Sequence, residues 1–308
     1  MKKHLALLLT ALMICLMAVP VFAGAEREVD VGEVKFGIMR ATKEWKADGV
    51  IDEGEYYEIP LKDTWLSYAW NDIDENAETL SKSMEPKLYM SWDDKYVYTA
   101  TVYKVSKFFN EYGADPGSMW KAACIQNNFA LKVDDVLGPE NRLEYGIGLT
   151  SDTNELISFV WADASDGAAI GWVPEAGADF TVTHSNNVLT YEARTPWEAF
   201  LGFTPKEGDV FGYCIVWAGG NDYDQYLHAQ LASGCTGFGK DAFSFAQVTL
   251  EAAPVVETEP PAVEEPAPAD DAPAVTPAPK TADTFAVVVF AAVATAAGAV
   301  VVSKKRSK

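Results

Sequence analysis

An indole ring and a row of polar side chains stand close together in the middle of the chain. Trp120 follows the turn-forming residues 115–118. The segment after it alternates apolar residues with Gln126, Asn128 and Lys132, which predicts a strand with one polar and one apolar face. Aromatic rings stack on flat apolar surfaces, and amides and charged groups hydrogen-bond to hydroxyls. The pattern therefore predicts a site for a ligand with both features, such as a sugar ring.

Patterns that would indicate an enzyme are missing from the sequence. It contains neither the Gly-x-Ser-x-Gly motif of a serine hydrolase nor the His-Glu-x-x-His motif of a zinc protease. Beyond residue 23 the only histidines are His184 and His228. A glycosidase would need two carboxylates at a set separation, and the many acids of the chain single out no pair. We therefore predict a protein without catalytic activity.

Four acids near the start of the chain are candidate ligands for structural calcium: Asp48, Asp52, Glu53 and Glu55. Hard oxygen ligands at short spacing suit Ca²⁺, although this spacing differs from that of an EF-hand loop. The chain has 24 Lys+Arg against 45 Asp+Glu, a net charge of −21, so a solvated acidic turn is the alternative. No other cofactor is expected. The same charge argues against a nucleic-acid partner, because phosphate recognition needs a basic face.

The elements that must position these residues are short strands between residues 33 and 251. Apolar and polar residues alternate repeatedly, and Gly, Asp and Asn separate the runs. This pattern predicts an all-β domain, an antiparallel β-sandwich of about ten strands. Trp92, Trp161 and Trp197 fall on strand or packing patterns and are predicted to fill its core. The predicted strands include residues 87–92, 96–103, 125–133, 142–149, 156–161, 180–183, 189–194, 210–217 and 243–250.

Four motifs, in order, resemble those of family 9-like carbohydrate-binding modules: residues 48–56, 90–98, 120–126 and 191–197. The resemblance extends over most of residues 45–250. It implies a non-catalytic β-sandwich that binds a poly- or oligosaccharide between two tryptophans. It further implies that Trp120 is one stacking ring, that Lys132 hydrogen-bonds to the sugar, and that Arg142 is a charged donor. Gln126 stands where the family has an acid, so the sugar preference is expected to differ.

The second ring that the resemblance implies is predicted to be Trp217. It ends a predicted strand beside two glycines, which would let a ligand approach the backbone, and Asn221 is a candidate hydroxyl partner. Three other aromatic residues are alternatives for this ring: Trp172, Tyr223 and Tyr226.

The resemblance leaves two other functions open. The same superfamily includes the DOMON sugar- and haem-binding domains, so the fold alone does not settle the ligand. In a haem-binding electron-transfer domain, His228 would be an axial ligand with Met90 or Met119 as its partner. The second of these functions is that of a surface or adhesion domain that has lost its sugar site.

The two ends of the chain predict secretion and anchoring at the cell surface. Residues 1–23 combine two early lysines, a short apolar run and a final alanine, which is typical of a signal peptide. Residues 284–302 are uncharged and apolar, long enough for a transmembrane helix, and the basic residues that follow should stay on the cytoplasmic side. The protein is therefore expected outside the cell, anchored to the wall or the membrane.

The segment before the apolar stretch resembles the cell-wall sorting signal of Gram-positive surface proteins. The resemblance covers residues 280–308 and implies that a sortase joins Thr281 to peptidoglycan. Before this reaction, the C-terminal helix would hold the chain in the membrane. Ala278 and Ala282 depart from the Leu-Pro-x-Thr-Gly form, so a plain membrane anchor is the alternative. Residues 252–279 hold eight of the 16 prolines and six acids, which predicts a disordered, extended linker.

Three cysteines follow the signal peptide: Cys124, Cys214 and Cys235. Outside the cell a disulfide between Cys214 and Cys235 is allowed, and the odd count leaves at least one thiol unpaired. No Cys-x-x-Cys spacing is present, so a cysteine metal site or a thioredoxin-like redox pair has little support.

Overall fold

The computed structural model describes residues 34–70, 77–133, 136–162, 179–198, 202, 204–222, 225–236 and 240–255. Side chains are described for these residues except 77–78, 131–133, 136–141, 221–222 and 225. The predicted signal peptide, almost all of the linker and the whole sorting signal lie outside these ranges. No helix in the described part is long and apolar enough to cross a membrane, and the predicted transmembrane segment 284–302 is not in that part.

The described residues form thirteen strands and a few short helices. The helices include α1, Ala77–Lys82, and 3-10 helices at Asp63–Trp65, Pro116–Lys121 and Ala242–Ser244. The strands are β1 Lys35–Met39, β2 Tyr57–Ile59, β3 Leu66–Trp70, β4 Lys87–Trp92, β5 Tyr96–Lys104, β6 Cys124–Val133, β7 Val136–Leu149, β8 Leu156–Ala162, β9 Asp179–Ser185, β10 Val188–Pro196, β11 Val210–Asp222, β12 Gln225–Leu231 and β13 Ala246–Glu251.

The strands form two sheets. The larger sheet has the order β1-β13-β11-β6-β7-β8, and β12 joins it by pairing with β11 and β3. The smaller sheet has the order β2-β4-β5-β10-β9. All pairings between these strands are antiparallel except that of β1 with β13. The prediction of a mostly antiparallel β-protein is confirmed, with more strands than expected.

Buried side chains from both sheets form the main core between them. Hydrogen bonds tie the sheets together inside it. Nε1 of Trp217 on β11 donates to Oγ1 of Thr101 on β5 at 2.7 Å, and the hydroxyls of Tyr145 and Thr195 lie 2.7 Å apart. Trp92 and Trp197 are each 1% exposed, as predicted for core residues.

The outer face of the larger sheet carries a second, smaller core. Residues pointing away from the main core on β6 and β11 pack against the segment after β12. This segment turns at Gly234, whose φ of +94° and contact with the Asp241 carbonyl leave no room for a Cβ atom. Its two ends are joined by a 2.8 Å hydrogen bond from the Asp241 amide to the Gly234 carbonyl. The members of this cluster are Ala130, Cys214, Val216, Cys235, Ala242 and Phe245.

The three described cysteines are free and buried. Cys214 and Cys235 belong to the same cluster, and both approach Oε1 of Gln230. The disulfide that the sequence allows between them is not formed in this structure.

Candidate functional site

A cavity of about 420 Å³ opens on the outer face of the larger sheet. This volume is within the range of small-molecule sites, roughly 300–1,000 Å³. Strands β6, β7, β8 and β12, one 3-10 turn and the segment after β12 contribute its walls. The described residues that line it are Trp120, Gln126, Arg142, Glu144, Trp161, Tyr226, His228, Cys235, Thr236 and Lys240. The cavity therefore combines aromatic rings with amide and charged groups.

Strand alternation places Gln126 at this cavity. On β6, Ile125 and Phe129 point into the main core, so Gln126 points to the opposite face. Gln126 pairs with Gly146 of β7, and Gly146 pairs with Phe159 of β8. The floor of the cavity is thus built on paired strands.

Trp161 lies directly over Gly146. A Cβ atom at position 146 would be 2.5 Å from Cη2 of the indole, so only glycine leaves room for the ring there. Nε1 of Trp161 donates to the Gly117 carbonyl at 2.9 Å. The ring is partly buried and lines the cavity, so its sequence assignment to the core was wrong. Its strand alternation was recognised, but the face on which the indole lies was not.

Trp120 lies in the 3-10 turn Pro116–Lys121, shortly before the start of β6. Its partly buried indole meets the Tyr226 ring nearly edge-on, with centroids 5.5 Å apart and planes at 61°. Its carbonyl accepts a 2.7 Å hydrogen bond from Nε2 of His228. The carbonyl of Gly117 in the same turn accepts the hydrogen bond from Trp161. This one short element therefore positions both indole rings that line the cavity.

Tyr226 and His228 occupy alternate positions on β12 and therefore share a face. Nδ1 of His228 lies 2.8 Å from Oγ1 of Thr236. The imidazole is 2% exposed, and burial lowers its pKa to about 4, so it is neutral at physiological pH. Both ring nitrogens are occupied by protein partners.

These contacts give no support to the haem alternative. His228 has no free ring nitrogen for a metal, and its candidate partners Met90 and Met119 are fully buried in two different clusters. An axial pair made from these residues would require both clusters to come apart.

A carboxylate with two cationic partners forms the charged side of the cavity. Oε2 of Glu144 lies 3.2 Å from Nη2 of Arg142, and Oε1 accepts a hydrogen bond from Nζ of Lys240. The Glu144 side chain is 2% exposed, whereas that of Lys240 is 48% exposed. Two cations offset the cost of burying this charge. Neither Glu144 nor Lys240 was predicted to line a site.

The structure brings three predicted site residues together and separates two others from them. Trp120, Gln126 and Arg142 line the cavity, as does Tyr226, one of the alternatives for the second ring. Trp217 is fully buried and points into the main core, so its prediction as a sugar-stacking ring was wrong. Asn128 lies on the cavity face of β6 but is fully buried, and its amide donates to the Gln126 carbonyl at 3.3 Å.

The remaining predicted residues lie outside the described residues or side chains. This holds for the side chains of Lys132 and Asn221, for the two other alternative rings, Trp172 and Tyr223, and for Thr281.

The acids predicted as calcium ligands lie on the turn before β2. Oδ1 of Asp48 accepts a hydrogen bond from the Val50 amide at 3.0 Å. Glu55 is buried, and its pKa is raised by burial first and then by the charges of Asp52 and Asp48. Within the described ranges no group of three or more His, Cys, Asp or Glu side chains is placed to hold a metal ion. Calcium at Asp48, Asp52, Glu53 and Glu55 gains no support from these positions and stays a prediction.

No family model and no curated protein matches the sequence. Two solved structures that are similar to the chain show a family 9 carbohydrate-binding module from Caldicellulosiruptor kristjanssonii, one in complex with cellotriose and one with glucose. The first is 13% identical to this chain with a TM-score of 0.48, and the second is 12% identical with a TM-score of 0.46. Each match covers 73% of this chain and 100% of the other.

Proposed function

We propose that the chain is a non-catalytic carbohydrate-binding protein and that the cavity on the larger sheet is its sugar site. The observation that carries the proposal is the placement of three aromatic rings, Trp120, Trp161 and Tyr226, around planar polar groups from Gln126 and Arg142. Aromatic faces match the C–H patches of a sugar ring, and amide and guanidinium groups match its hydroxyls.

The rings are held in place before a ligand arrives. The Trp161 indole is fixed by its hydrogen bond to Gly117 and by its contact with Gly146, and the Trp120 backbone is fixed by His228. Little side-chain entropy is then lost on binding, which favours affinity for a ligand whose hydroxyls already bond well to water. A binding site of this kind needs no moving element.

The described lining offers no catalytic arrangement. Hydrolysis of a glycosidic bond uses two carboxyl groups, and Glu144 is the one carboxylate among the described lining residues. Its charge is already compensated by Arg142 and Lys240. His228 has both ring nitrogens in hydrogen bonds and cannot readily accept a proton as a base. Binding without reaction is therefore the function we propose.

A glycan array probed with the full-length protein, with and without a calcium chelator, tests the sugar site. Trp120→Ala should weaken binding of the best glycan by about 1–3 kcal/mol, because one stacking face is lost. Trp45→Ala is the matched control, since Trp45 stacks on Tyr98 of the smaller sheet and does not line the cavity. Equal binding by the Trp120 variant and its parent would overturn the site, and an empty array would favour a sugar-blind surface domain. A signal lost with the chelator would support the predicted calcium.

We also propose, from the sequence, that the domain is secreted and held at the cell surface. Residues 1–23 would direct export, residues 252–279 would hold the domain away from the wall, and Thr281 would be joined to peptidoglycan by a sortase. Thr281→Ala should move the protein from the wall fraction to the membrane fraction, whereas Thr284→Ala should not. Release of Thr281→Ala with the wall would contradict attachment at Thr281. Recovery of the parent protein in the membrane fraction would favour the plain membrane anchor.

A further inference from the structure

The cavity carries a local charge opposite in sign to that of the whole protein. Arg142 and Lys240 supply two positive charges to the described lining, Glu144 supplies one negative charge, and His228 is neutral. The chain as a whole has a net charge of −21. Nζ of Lys121 adds a third cation beside the site, 5.3 Å from the centre of the Trp120 ring. Cations gathered at one concave site of an acidic protein attract an anionic ligand.

The two lining cations retain hydrogen-bond donors after pairing with Glu144. Arg142 contacts Glu144 through Nη2, while its Nε is buried without a hydrogen-bond partner among the described residues. The Lys240 ammonium has three donors, and its side chain is about half exposed. Buried donors without a partner are rare in folded proteins, so this Nε is open to an acceptor from a ligand. A guanidinium and an ammonium together fit an anionic acceptor such as a carboxylate or a phosphate, and a carboxylate is the one that a sugar acid carries.

We propose that the sugar taken by this cavity bears a carboxylate, as a uronic acid does, and that its acid group binds to Arg142 and Lys240. The proposal rests on the proposed sugar-binding function and names the class of sugar. The rings of Trp120, Trp161 and Tyr226 contact the apolar face, and the neutral amide of Gln126 is left for hydroxyls. A neutral sugar would leave the excess positive charge without a counter-ion from the ligand.

Three matched pairs of methyl glycosides test the class of sugar: glucuronate with glucose, galacturonate with galactose, and mannuronate with mannose. Titration calorimetry with the full-length protein should give at least fivefold tighter binding for the acid in the pair that binds best. This preference should shrink when NaCl is raised from about 50 to about 500 mM, because salt screens charge attraction. Equal or tighter binding of the neutral sugar would overturn the inference and leave the proposed function standing. Failure of all six sugars to bind would count against the sugar site itself.

Variants of Lys240 test whether this residue produces the preference. Lys240→Gln should reduce the acid-to-neutral affinity ratio to threefold or less, and Lys240→Arg should retain it because the charge remains. Lys104→Gln is the control, since Lys104, at the end of β5, pairs with Glu85 and does not line the cavity. Thermal unfolding of each variant checks that the domain is folded. An unchanged ratio in Lys240→Gln would show that the carboxylate binds elsewhere.

Discussion

The backbone carbonyl of Trp120 accepts a 2.7 Å hydrogen bond from Nε2 of His228, although the two residues are 108 positions apart. Since a carbonyl can only accept, Nε2 must carry the proton, and Nδ1 therefore accepts from the hydroxyl of Thr236. This fixes the tautomer of a neutral imidazole. His228 thus joins the turn that carries Trp120 to β12 and to the segment after it.

His228→Phe should remove both hydrogen bonds of the imidazole, while the phenyl ring still fills the space beside Tyr226. The carbonyl of Trp120 and the hydroxyl of Thr236 would lose their partner, which should lower the free energy of unfolding by about 1–3 kcal/mol. The best glycan should also bind more weakly, because the Trp120 ring is no longer held. Denaturant titration and calorimetry measure the two effects. His184→Phe is the control, since His184 packs against Phe108 away from the cavity; equal losses in both variants would contradict the role of His228.

The pH dependence of stability should contain opposite contributions from His228 and Glu192. The His228 pKa falls from 6.5 unfolded to about 4 folded, so its contribution is present above pH 6.5 and is lost as the pH falls through 4. Burial raises the pKa of Glu192, which accepts a 3.2 Å hydrogen bond from Tyr56, from 4.5 to about 7. Its contribution is present below pH 4.5 and is lost as the pH rises through 7.

Variants should separate the two contributions. Between pH 4.5 and 6.5, the free energy of unfolding should rise with pH in Glu192→Gln, where Glu192 no longer opposes the histidine, and fall with pH in His228→Gln. The free energy of unfolding of the parent should change less with pH than that of either variant, because the two contributions have slopes of opposite sign. Denaturant titrations at pH 4.5, 5.5 and 6.5 measure the slopes. Slopes of the same sign in the two variants would contradict the assignment.

Gly146→Ala should displace the indole of Trp161. The added methyl group would lie 2.5 Å from the ring, so the ring must leave its position in the cavity wall. Overpacking of this kind typically costs about 1–3 kcal/mol of stability, and sugar binding should weaken as well. Gly113→Ala is the matched control, because its nearest neighbour would be at an ordinary 3.4 Å. Unchanged glycan affinity in Gly146→Ala would show that Trp161 is not part of the site.

Much of the site could be predicted from local pattern. The turn before Trp120 and the alternation around Gln126 predicted that these two residues share a site, and the resemblance to family 9-like modules added Arg142. The pairing of Glu144 with Lys240 could not be predicted, because it joins residues 96 positions apart through a segment with no repeating pattern.

The predictions for Trp161 and Trp217 were wrong for the same physical reason. Each lies on a strand whose alternation is clear, but alternation does not say which face is outward. A polar outer face would have settled the question, yet this sheet has buried apolar residues on both faces. Trp217 therefore points into the main core and Trp161 into the cavity.

The three thiols should react slowly with a thiol reagent in the native protein, and all three should react once the protein is unfolded. Cys124, Cys214 and Cys235 are buried, and burial raises the pKa of Cys124 and of Cys235, so little reactive thiolate forms. An aromatic disulfide reagent at pH 8 measures the rates, and Val50→Cys, at a position 55% exposed, is the positive control that should react at once. Rapid native reaction of Cys124 or Cys235 would contradict the burial. Reaction of Cys124 alone after unfolding without reductant would show that Cys214 and Cys235 are bridged.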